Sequence, residues 1–264
     1  MLDQITPLIL TLDEEANIAR VLAKLGWARE VVVVDSGSTD ATRSLLTGYV
    51  NVRCVEHRFQ SHAAQWTYGL TKTDIKTEWV LALDADYVLT DALVEELRML
   101  APDPDVTGYR VGFRYCVFGR MLRGTLYPPS IVLFRHSAGH YVQDGHTQRF
   151  QASGRIERLR SVILHDDRKS LARWLASQVN YARLEADVLC SKPWRDLGWP
   201  DRLRTLHVVM PPLAFLYCLT VSGGMLDGWP GLYYASQRAI AEAILSLVLI
   251  ERRITSMKKS GDRP

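Results

Sequence analysis

"VLALDADYVL", residues 80–89, is an apolar run interrupted by two aspartates, Asp84 and Asp86. An apolar run without alternation is typical of a strand that is buried on both faces of a parallel sheet. Ligands of such sheets bind outside the carboxyl ends of the strands. The stretch therefore predicts a rigid strand that carries two carboxylates, one residue apart, at a ligand-binding edge.

The sequence around this stretch alternates predicted strands with predicted helices. The other strand-like runs are "TPLILTL" (6–12), "EVVVVD" (30–35) and "VNVRCVE" (50–56). The helical patterns are "DEEANIARVLAKLG" (13–26), "HAAQWTYGL" (62–70) and "TDALVEELRML" (90–100), the last capped by Thr90 or Asp91. Strands that alternate with helices predict a doubly wound α/β sheet with helices on both faces.

The second half of the chain changes character twice. Residues 107–165 are rich in β-branched and aromatic residues, which predicts antiparallel or mixed strands that extend the sheet. From Ser170 onward the pattern is helical. Two apolar stripes predict the buried faces, Leu171, Trp174, Leu175, Val179, Ala182, Ala186 and Leu189 in one and Leu232, Ala239, Ile240, Ala243, Ile244, Leu247 and Val248 in the other. The predicted division is a nucleotide-binding domain over 1–168, a helical region over 169–256 and a disordered tail over 257–264.

Composition restricts the class of protein. Of the 264 residues 47% are hydrophobic, enough for a sizeable core, and the formal net charge of +3 does not favour nucleic acid as a partner. The four cysteines are scattered without a metal-binding spacing, which suits a reducing compartment. The N-terminal stretch has an acidic residue, Asp3, in place of the basic start of a secretory leader. These features predict a cytoplasmic protein.

One apolar segment indicates a membrane. "LHVVMPPLAFLYCLTV", residues 206–221, is shorter than the ~20 residues of a spanning helix, and Pro211 and Pro212 interrupt it. Basic residues outnumber acidic ones on its N-terminal side, which suits an anionic membrane surface. We expect the segment to lie at the inner face of the cell membrane. A buried helix, a full span and a homo-oligomer through the C-terminal helices are the alternatives.

Acidic and hydroxyl residues follow three of the predicted strands. They are Thr11 to Glu15, Asp35 to Asp40 and Asp84 to Asp86. Because like charges repel at one edge, a cation or a donor-rich ligand is expected there. Carboxylate oxygens suit Mg²⁺ or Mn²⁺, which in turn bind a diphosphate, so Asp84 and Asp86 are predicted to hold a divalent ion. An acidic turn or a helix cap is the structural alternative. The absence of GxGxxG after the first strand disfavours hydride chemistry.

These residues together carry a family resemblance. "ILTLDEEANIARVLAKLGWAREVVVVDSGSTDAT" (9–42) followed by "EWVLALDAD" (78–86) resembles the family-two glycosyltransferases of the GT-A fold, and especially the lipopolysaccharide-core β-glucosyltransferases. The likeness continues through "YPPSIVLFR", "GHTQRF", "LHDDRK" and "LDGWPGLYYASQRA", so it covers most of the chain. It implies an inverting, metal-dependent hexosyltransferase. Such an enzyme moves a hexose from a nucleotide-diphosphate sugar, such as a UDP-sugar, to a lipid-linked or cell-envelope glycan.

The resemblance also implies roles for individual residues. Thr11, Glu14 and Asp35 are expected at the base and ribose of the donor, Asp84 at the ribose or the metal, and Asp86 and His165 at the metal. Gln65 begins the motif that is Gln-Lys-Asn in relatives and is Gln65-Trp66-Thr67 here, which removes two polar donor contacts. Tyr127 and Arg135 are expected to line the acceptor groove, and Arg168 to neutralise the diphosphate. Ordinary packing, or a solvated basic turn, is the alternative for these last three.

The catalytic base is expected near "QDGHTQ", residues 143–148. Relatives have a His-Glu pair where this chain has His146 and Thr147, and threonine does not accept a proton near neutral pH. Asp144 and His146 alternate on one strand face, so either can approach an acceptor hydroxyl. Asp144 is predicted as the base because an ordinary carboxylate is already ionised at neutral pH, with His146 orienting the acceptor.

Two other functions use the same sequence features. A sugar nucleotidyltransferase would use the nucleotide-and-metal edge but would need a glycine-rich, basic phosphate loop, which the N-terminal part lacks. A non-catalytic glycan or membrane scaffold would keep the fold without the base, and Thr147 favours it. Release of the sugar, of pyrophosphate, or of neither product distinguishes the three.

Overall fold

The computed structural model describes residues 1–124, 126–144 and 147–261, except the side chains of Asp144, Thr147 and 257–261. The described chain divides into two compact units. The first comprises Met1–Met121 and Tyr127–Lys169, and the second comprises Leu122–Leu126 and Ser170–Pro264.

The strands and the helices of the first unit alternate up to α4. The strands are β1 (Ile5–Thr11), β2 (Val31–Asp35), β3 (Val52–Glu56), β4 (Trp79–Asp84), β5 (Tyr87–Leu89), β6 (Val106–Val117), β7 (Arg120–Met121), β8 (Ser130–Arg135), β9 (Gly139–Asp144), β10 (Thr147–Ala152) and β11 (Arg155–His165). The α-helices of the first unit are α1 (Ile18–Leu22), α2 (Thr42–Leu46), α3 (His62–Lys72) and α4 (Asp91–Met99). Those of the second unit are α5 (Leu171–Ser191), α6 (Trp199–Arg204), α7 (Met210–Leu219) and α8 (Trp229–Gly261).

One large sheet organises the first unit. Its order is β3-β2-β1-β4-β8-β6-β11-β5, with β7 paired to β6, and the hairpin β9–β10 forms a separate two-stranded sheet. The half made of β3, β2, β1 and β4 is parallel. In the other half β8 is antiparallel to both β4 and β6, while β11 is parallel to β6. The prediction of an α/β sheet that continues into mixed strands is confirmed.

The parallel half is buried on both faces. Val31 and Val33 belong to the core cluster that includes α1 and α4, whereas Val32 and Val34 belong to the cluster that includes α3. Successive side chains of a strand point to opposite faces, so an unbroken valine run serves both clusters. Helix α3 packs closely on β1 at Gly69, which has no side chain. A Cβ added there would lie only 2.9 Å from Leu8 Cδ2.

The structure shows which side chain, if any, caps each of two helices. Thr90, and not Asp91, caps α4, since its side chain accepts a hydrogen bond from the Leu93 backbone N–H at 3.2 Å. Helix α2 begins at Thr42 without a side-chain cap, so neither Ser38 nor Thr39 caps it. Both residues serve the turn after β2 instead.

The second unit is helical, and its buried faces differ from the predicted stripes. Ala182, Ala186 and Leu189 of α5 are buried with Leu245 and Leu249 of α8. The predicted stripe residues listed next are at least one-third exposed: Leu171, Leu175, Leu232, Ile240 and Leu247. The faces shift because Arg204 of α6 forms a two-pronged ion pair with Glu242, at 3.1 and 2.8 Å, which turns that polar face of α8 inward.

The apolar segment 206–221 contains α7. Pro211 and Pro212 lie in the first turn of this helix, where a missing backbone N–H costs no hydrogen bond, so they start the helix and do not interrupt it. Of the helices that the structure describes, not one combines the length and the apolar character that crossing a bilayer requires. Helix α8 continues to Gly261, into the segment predicted to be a disordered tail.

Candidate functional site

The carboxyl ends of β1, β2 and β4 lie side by side. The register pairs Thr11 with Asp35 and Leu10 with Asp84, so the polar strand ends that the sequence predicted share one edge. Asp86 follows in the short turn between β4 and β5. The end of β11 reaches the same edge, because His165 pairs with Tyr87 of β5.

Asp35 is fully buried and organises the turn after β2. Its carboxylate accepts hydrogen bonds from Thr11 Oγ1 at 3.0 Å, from the backbone N–H of Gly37 at 3.1 Å, and from Ser38 N and Oγ at 2.9 and 2.5 Å. Gly37 makes this turn possible with a φ of 94°. An ionised carboxylate has about four acceptor positions, and these contacts use them. The Asp35 carboxylate therefore holds the turn in this structure, and Thr11 is held with it, while the predicted contact of both residues with the base or ribose stays a prediction.

Gln65 is also engaged within the protein. It is 1% exposed, and its side-chain N–H groups donate to Ser36 Oγ at 2.7 Å and to the His57 carbonyl at 2.9 Å. Its carbonyl oxygen contacts His57 Nδ1. Both amide hydrogens are thus used, so Gln65 positions the turn that Ser36 begins and has no donor left for a ligand. The predicted contact of Gln65 with the donor stays a prediction.

Asp84 and Asp86 differ from Asp35 in their surroundings. Burial, followed by the neighbouring Asp86 carboxylate, raises the pKa of Asp84 to about 6. Burial acts in the same direction on Asp86, but the charge of His165 and the hydrogen bond from it outweigh burial and lower the pKa of Asp86 to about 2. His165 Nε2 lies 3.1 Å from Asp86 Oδ2, and burial of the imidazolium is more than offset by Asp86, so the pKa of His165 is raised.

Aromatic rings enclose His165. Tyr115 and Tyr127 each have their ring centroid 4.8 Å from that of His165, and the hydroxyls of Tyr127 and Tyr87 lie 2.6 Å apart. The structure therefore places Tyr127 next to the Asp86–His165 pair. Tyr87 lies in an apolar run, so only its position after Asp86 could have indicated a role for it.

A polar network joins the loop after β1 to the turn after β11. Glu14 accepts hydrogen bonds from Lys169 Nζ at 2.7 Å and from Asn17 Nδ2 at 2.8 Å. Burial raises the pKa of Glu14 despite Lys169, and the pKa of Lys169 is raised because Glu14 and neighbouring carboxylates outweigh its burial. Asn17, 1% exposed, also donates to Asp167 at 2.9 Å. Glu14 is thus already paired.

Arg20 and Arg168 complete this network from opposite sides. Both guanidinium groups contact the Asp166 carboxylate, and Arg168 does so at 2.8 and 3.0 Å. The Asp166 backbone N–H in turn donates to the Asp86 carbonyl at 3.1 Å. Sequence reasoning missed Asn17 and Arg20, since both look like ordinary polar positions of a surface helix. Only their partners in "HDDRK" show that they support the turn that carries His165.

Arg135 lies at the wrong end of the sheet for the predicted acceptor role. It pairs in register with Trp79, at the beginning of β4, because β8 is antiparallel to β4. Its guanidinium contacts Glu78, donates to the Val106 carbonyl at 2.8 Å and lies over the Trp79 ring at 4.7 Å. The acceptor prediction for Arg135 is wrong. The predicted catalytic residues are a separate case: His146 and the Asp144 side chain lie outside the described residues.

The fit of the edge to a divalent ion depends on the donor set. Among the described residues, no group of three or more His, Cys, Asp and Glu side chains has the arrangement of a metal cage. Mg²⁺ sites in nucleotide enzymes need fewer protein ligands, because one or two carboxylates, substrate phosphates and water complete the coordination. Asp84, Asp86 and His165 supply such an incomplete set, and His165 Nδ1 is buried without a partner in the described structure. The residues fit a metal that is shared with a diphosphate.

A pocket of about 370 Å³ opens beside Asp84. Tyr87, residues 128–132 at the start of β8, Trp66 of α3 and part of the β9–β10 hairpin line it. The hairpin residues include Tyr141 and Phe150, whose rings pack against Trp66 and Phe134, respectively. The size is that of a small-molecule site. The edge thus combines a carboxylate and imidazole group with an adjacent cavity.

Comparisons with known proteins agree with this arrangement. Residues 8–160 match the model of glycosyl transferase family 2. The lipopolysaccharide core biosynthesis glycosyltransferase LpsC of Rhizobium meliloti (strain 1021) is 25% identical over 267 residues, which are 96% of this chain and 94% of that protein. An uncharacterized glycosyltransferase of Rickettsia bellii (strain RML369-C) is 31% identical over 98 residues, 37% of this chain and 32% of that protein.

Solved structures resemble the chain more distantly. The crystal structure of S. aureus TarS 1-349 in complex with UDP-GlcNAc has a TM-score of 0.49 at 15% identity, covering 96% of this chain and 92% of that one. The fold is mixed α/β and GT-A-like, and the family resemblance inferred from the sequence motifs is confirmed. Since the family model covers more than half of the residues, the chain belongs to glycosyl transferase family 2.

Proposed function

We propose that this glycosyltransferase moves a hexose from a nucleotide-diphosphate sugar, in the first instance a UDP-sugar, to a hydroxyl of a cell-envelope glycan with inversion at the anomeric carbon. The observation that carries the proposal is the shared edge of β1, β4 and β11, where Glu14, Asp84, Asp86 and His165 meet beside a pocket. Carboxylates at one edge need a cationic or donor-rich ligand, and a diphosphate with a divalent ion supplies one.

The chain's own residues divide the chemistry between them. The acceptor hydroxyl oxygen attacks the anomeric carbon, its proton passes to the base, and the bond to the diphosphate oxygen breaks on the opposite face. Asp144 is proposed as this base, with His146 orienting the acceptor. Asp84, Asp86 and His165 would hold Mg²⁺ or Mn²⁺, which when bound would neutralise charge on the diphosphate. Arg168, whose side chain is partly exposed beside Asp166, is proposed to contact the leaving diphosphate.

The acceptor is proposed from LpsC, whose name assigns it to lipopolysaccharide core biosynthesis. That relative matches nearly the whole chain, and so the C-terminal unit is included in the similarity. A lipopolysaccharide-core or other lipid-linked glycan is made at a membrane, which agrees with the proposed location at its inner face.

The second unit offers a surface for that membrane. Trp194, Trp199 and Trp229 are 60%, 74% and 50% exposed, and Leu216 of α7 is 55% exposed. The Arg202 guanidinium lies 4.5 Å from the Trp194 ring centroid, so a cation accompanies an aromatic side chain. Exposed tryptophans with neighbouring cations are typical of segments that lie in the interface of an anionic bilayer.

The transferase proposal is tested by product analysis with the purified full-length protein. Nucleotide sugars with Mn²⁺ or Mg²⁺ should yield nucleoside diphosphate and free or transferred sugar. Pyrophosphate release from a sugar phosphate and a nucleoside triphosphate would instead indicate a nucleotidyltransferase. The absence of both reactions with a panel of donors would favour a non-catalytic scaffold.

The base is tested by comparing two variants. Asp144→Asn should lower transfer by about a hundredfold or more while the KM for the donor changes little, a typical general-base contribution. Normal transfer by Asp144→Asn together with an inactive His146→Ala would assign the base to the histidine.

Membrane association is tested by flotation with anionic and with neutral vesicles. The protein should float with anionic vesicles, and high salt should release it only in part, because burial of apolar side chains is not screened. Trp199→Ser should weaken flotation, whereas Trp27→Phe, a change in the first unit, should not. A defined oligomer that does not bind vesicles would assign the exposed apolar residues to contacts between copies.

A further inference from the structure

The pocket beside Asp84 carries positive charge that the proposed donor contacts do not use. Arg110 of β6 and Arg149 of β10 both line it. Among its described lining residues, Asp84 is the only carboxylate. The described lining therefore holds two guanidinium groups and one carboxylate.

The sheet concentrates this charge further. Arg110 pairs in register with Arg158 of the neighbouring strand β11, and both side chains are exposed. Like charges directly opposite each other on neighbouring strands are unfavourable. In the described part of the chain, no ion pair or hydrogen bond offsets the charge of the Arg110 side chain. An anion bound in the pocket would offset it.

The position of the pocket assigns this anion to the acceptor. Apart from Trp66 of α3 and Tyr87 of β5, the pocket is lined from β4, from β6, from β8 with the residues just before it, and from the hairpin. The parallel strands β1 and β2, which lead to the proposed nucleotide site, lie on the other side of β4. The hairpin also contains the segment in which the proposed base lies. Trp66 and Tyr141 are stacked at 5.1 Å in the lining, which gives the cavity an apolar wall beside its guanidinium groups.

We propose that the acceptor glycan is anionic, and that Arg110 and Arg149 pair with a phosphate or carboxylate group on a sugar near the reacting hydroxyl. Guanidinium groups recognise both oxyanions through forked hydrogen bonds. This inference rests on the proposed transferase function and specifies its acceptor. It makes Arg110 and Arg149 specificity determinants for the acceptor, with no part in donor binding.

The test uses the full-length enzyme and lipid-free lipopolysaccharide core oligosaccharide as acceptor in three forms: intact, dephosphorylated, and with its carboxyl groups reduced. Arg110→Gln and Arg149→Gln should each lower kcat/KM for the intact acceptor by about tenfold to a hundredfold, the range expected when a hydrogen bond to a charged group is lost. The KM for the nucleotide sugar should stay within about twofold. Arg110→Lys, which keeps the charge, should recover part of the loss.

Removing the anion from the acceptor should reproduce the effect of removing the arginine. The acceptor form that lacks the recognised group should react poorly with the wild-type enzyme. Arg110→Gln should cause no further loss of kcat/KM with that form. Whether the dephosphorylated or the carboxyl-reduced form behaves in this way shows which of the two groups is recognised. Arg160→Gln, a change at an exposed arginine of β11 outside the pocket lining, is the matched control and should react as wild type.

Two results would overturn the inference while leaving the transferase function in place. One is an unchanged acceptor kcat/KM in both glutamine variants, and the other is a raised KM for the nucleotide sugar in place of the acceptor effect. Donor hydrolysis without acceptor is measured in parallel. If the wild-type protein does not turn over any nucleotide sugar, the transferase proposal fails, and this inference fails with it.

Discussion

The ends of β2 and β4 present the same residue type in similar places, with different consequences. Both strands are buried neighbours of β1, and each ends in an aspartate. Asp35 accepts four hydrogen bonds from its own turn and from Thr11. Asp86, two residues after the end of β4 at Asp84, instead faces one imidazole nitrogen, that of His165, at 3.1 Å. A carboxylate at a strand end is therefore a candidate ligand only if the protein has left its oxygens unused. By that criterion the half of the edge at β4 is the better candidate for binding a ligand.

The largest expected effect is that of Asp86→Asn on turnover. If Asp86 binds the ion shared with the diphosphate, the amide should lower the rate of donor turnover by about a thousandfold or more, since several kcal/mol of charge stabilisation are lost. Asp74→Asn, at an exposed aspartate paired with Lys76, is the control and should be fully active. The measurement is nucleoside diphosphate release, with circular dichroism to show that both variants are folded. Full activity of the wild-type protein in excess chelator would refute the metal role.

Asp35→Asn should act on stability in place of chemistry. The amide would direct N–H groups toward hydroxyl and backbone N–H donors in a fully buried position, so we expect a loss of about 2–4 kcal/mol in the free energy of unfolding. Thr11→Val removes one of the four hydrogen bonds and should cost about 1 kcal/mol. Urea denaturation measures both. An Asp35→Asn variant that unfolds like wild type but has lost donor binding would return Asp35 to the direct contact that the sequence predicted.

The sequence was sufficient for the strands of the parallel half and for the edge at which they end. The valine run 31–34 predicts a strand buried on both faces because it is short, β-branched and apolar at every position. Asp84 and Asp86 were identified because the end of such a strand is a known ligand position. These inferences use only local pattern and a general rule of sheet architecture.

The remaining features depend on contacts that no local pattern encodes. Arg135 was misplaced because the direction of β8 is a property of the sheet, and an antiparallel strand takes its last residue away from the site. The buried face of α8 was misjudged because the helix has apolar residues on more than one side, and Arg204 determines which side is covered. The role of Asn17 is visible only from its hydrogen bonds with Asp167 and Arg168, which are distant in the chain.

A smaller loss of stability is expected from a substitution at Gln65. It tests whether the side-chain amide of Gln65 holds the turn at Ser36 or contacts a ligand. Gln65→Met keeps the volume but removes the hydrogen bonds to Ser36 and to His57, so the free energy of unfolding should fall by about 1–3 kcal/mol. The KM for the nucleotide sugar should rise only a fewfold, as a consequence of a less ordered turn. Thermal unfolding and donor titration separate the two. A large rise in KM without loss of stability would show that Gln65 contacts the donor directly.

The smallest expected effect concerns Glu96, a carboxylate intermediate between Asp35 and Asp86 in how far the protein uses it. It accepts backbone N–H groups of Arg160 and Ser161 at 2.8 Å each, within the register shift of β11. Although burial opposes ionisation, these hydrogen bonds dominate and lower the pKa of Glu96 below its ordinary value of 4.5. The resulting stability is present above pH 4.5 and is lost as the pH falls through the lowered pKa of the folded state.

Glu96→Gln should therefore destabilise the protein by about 1 kcal/mol at neutral pH, because a neutral acceptor replaces a charged one at the two backbone groups. The difference from wild type should shrink as the pH falls below 4.5, where the wild-type carboxylate becomes protonated and loses the same advantage. Urea denaturation of both proteins at a series of pH values measures this convergence, and Glu95→Gln, at an exposed neighbour paired with Arg98, is the matched control. If the free energies of unfolding of Glu96→Gln and wild type instead differed by the same amount at every pH, the β11 irregularity would not depend on the charge. A carboxylate that accepts two backbone hydrogen bonds would then not stabilise the fold through its ionisation.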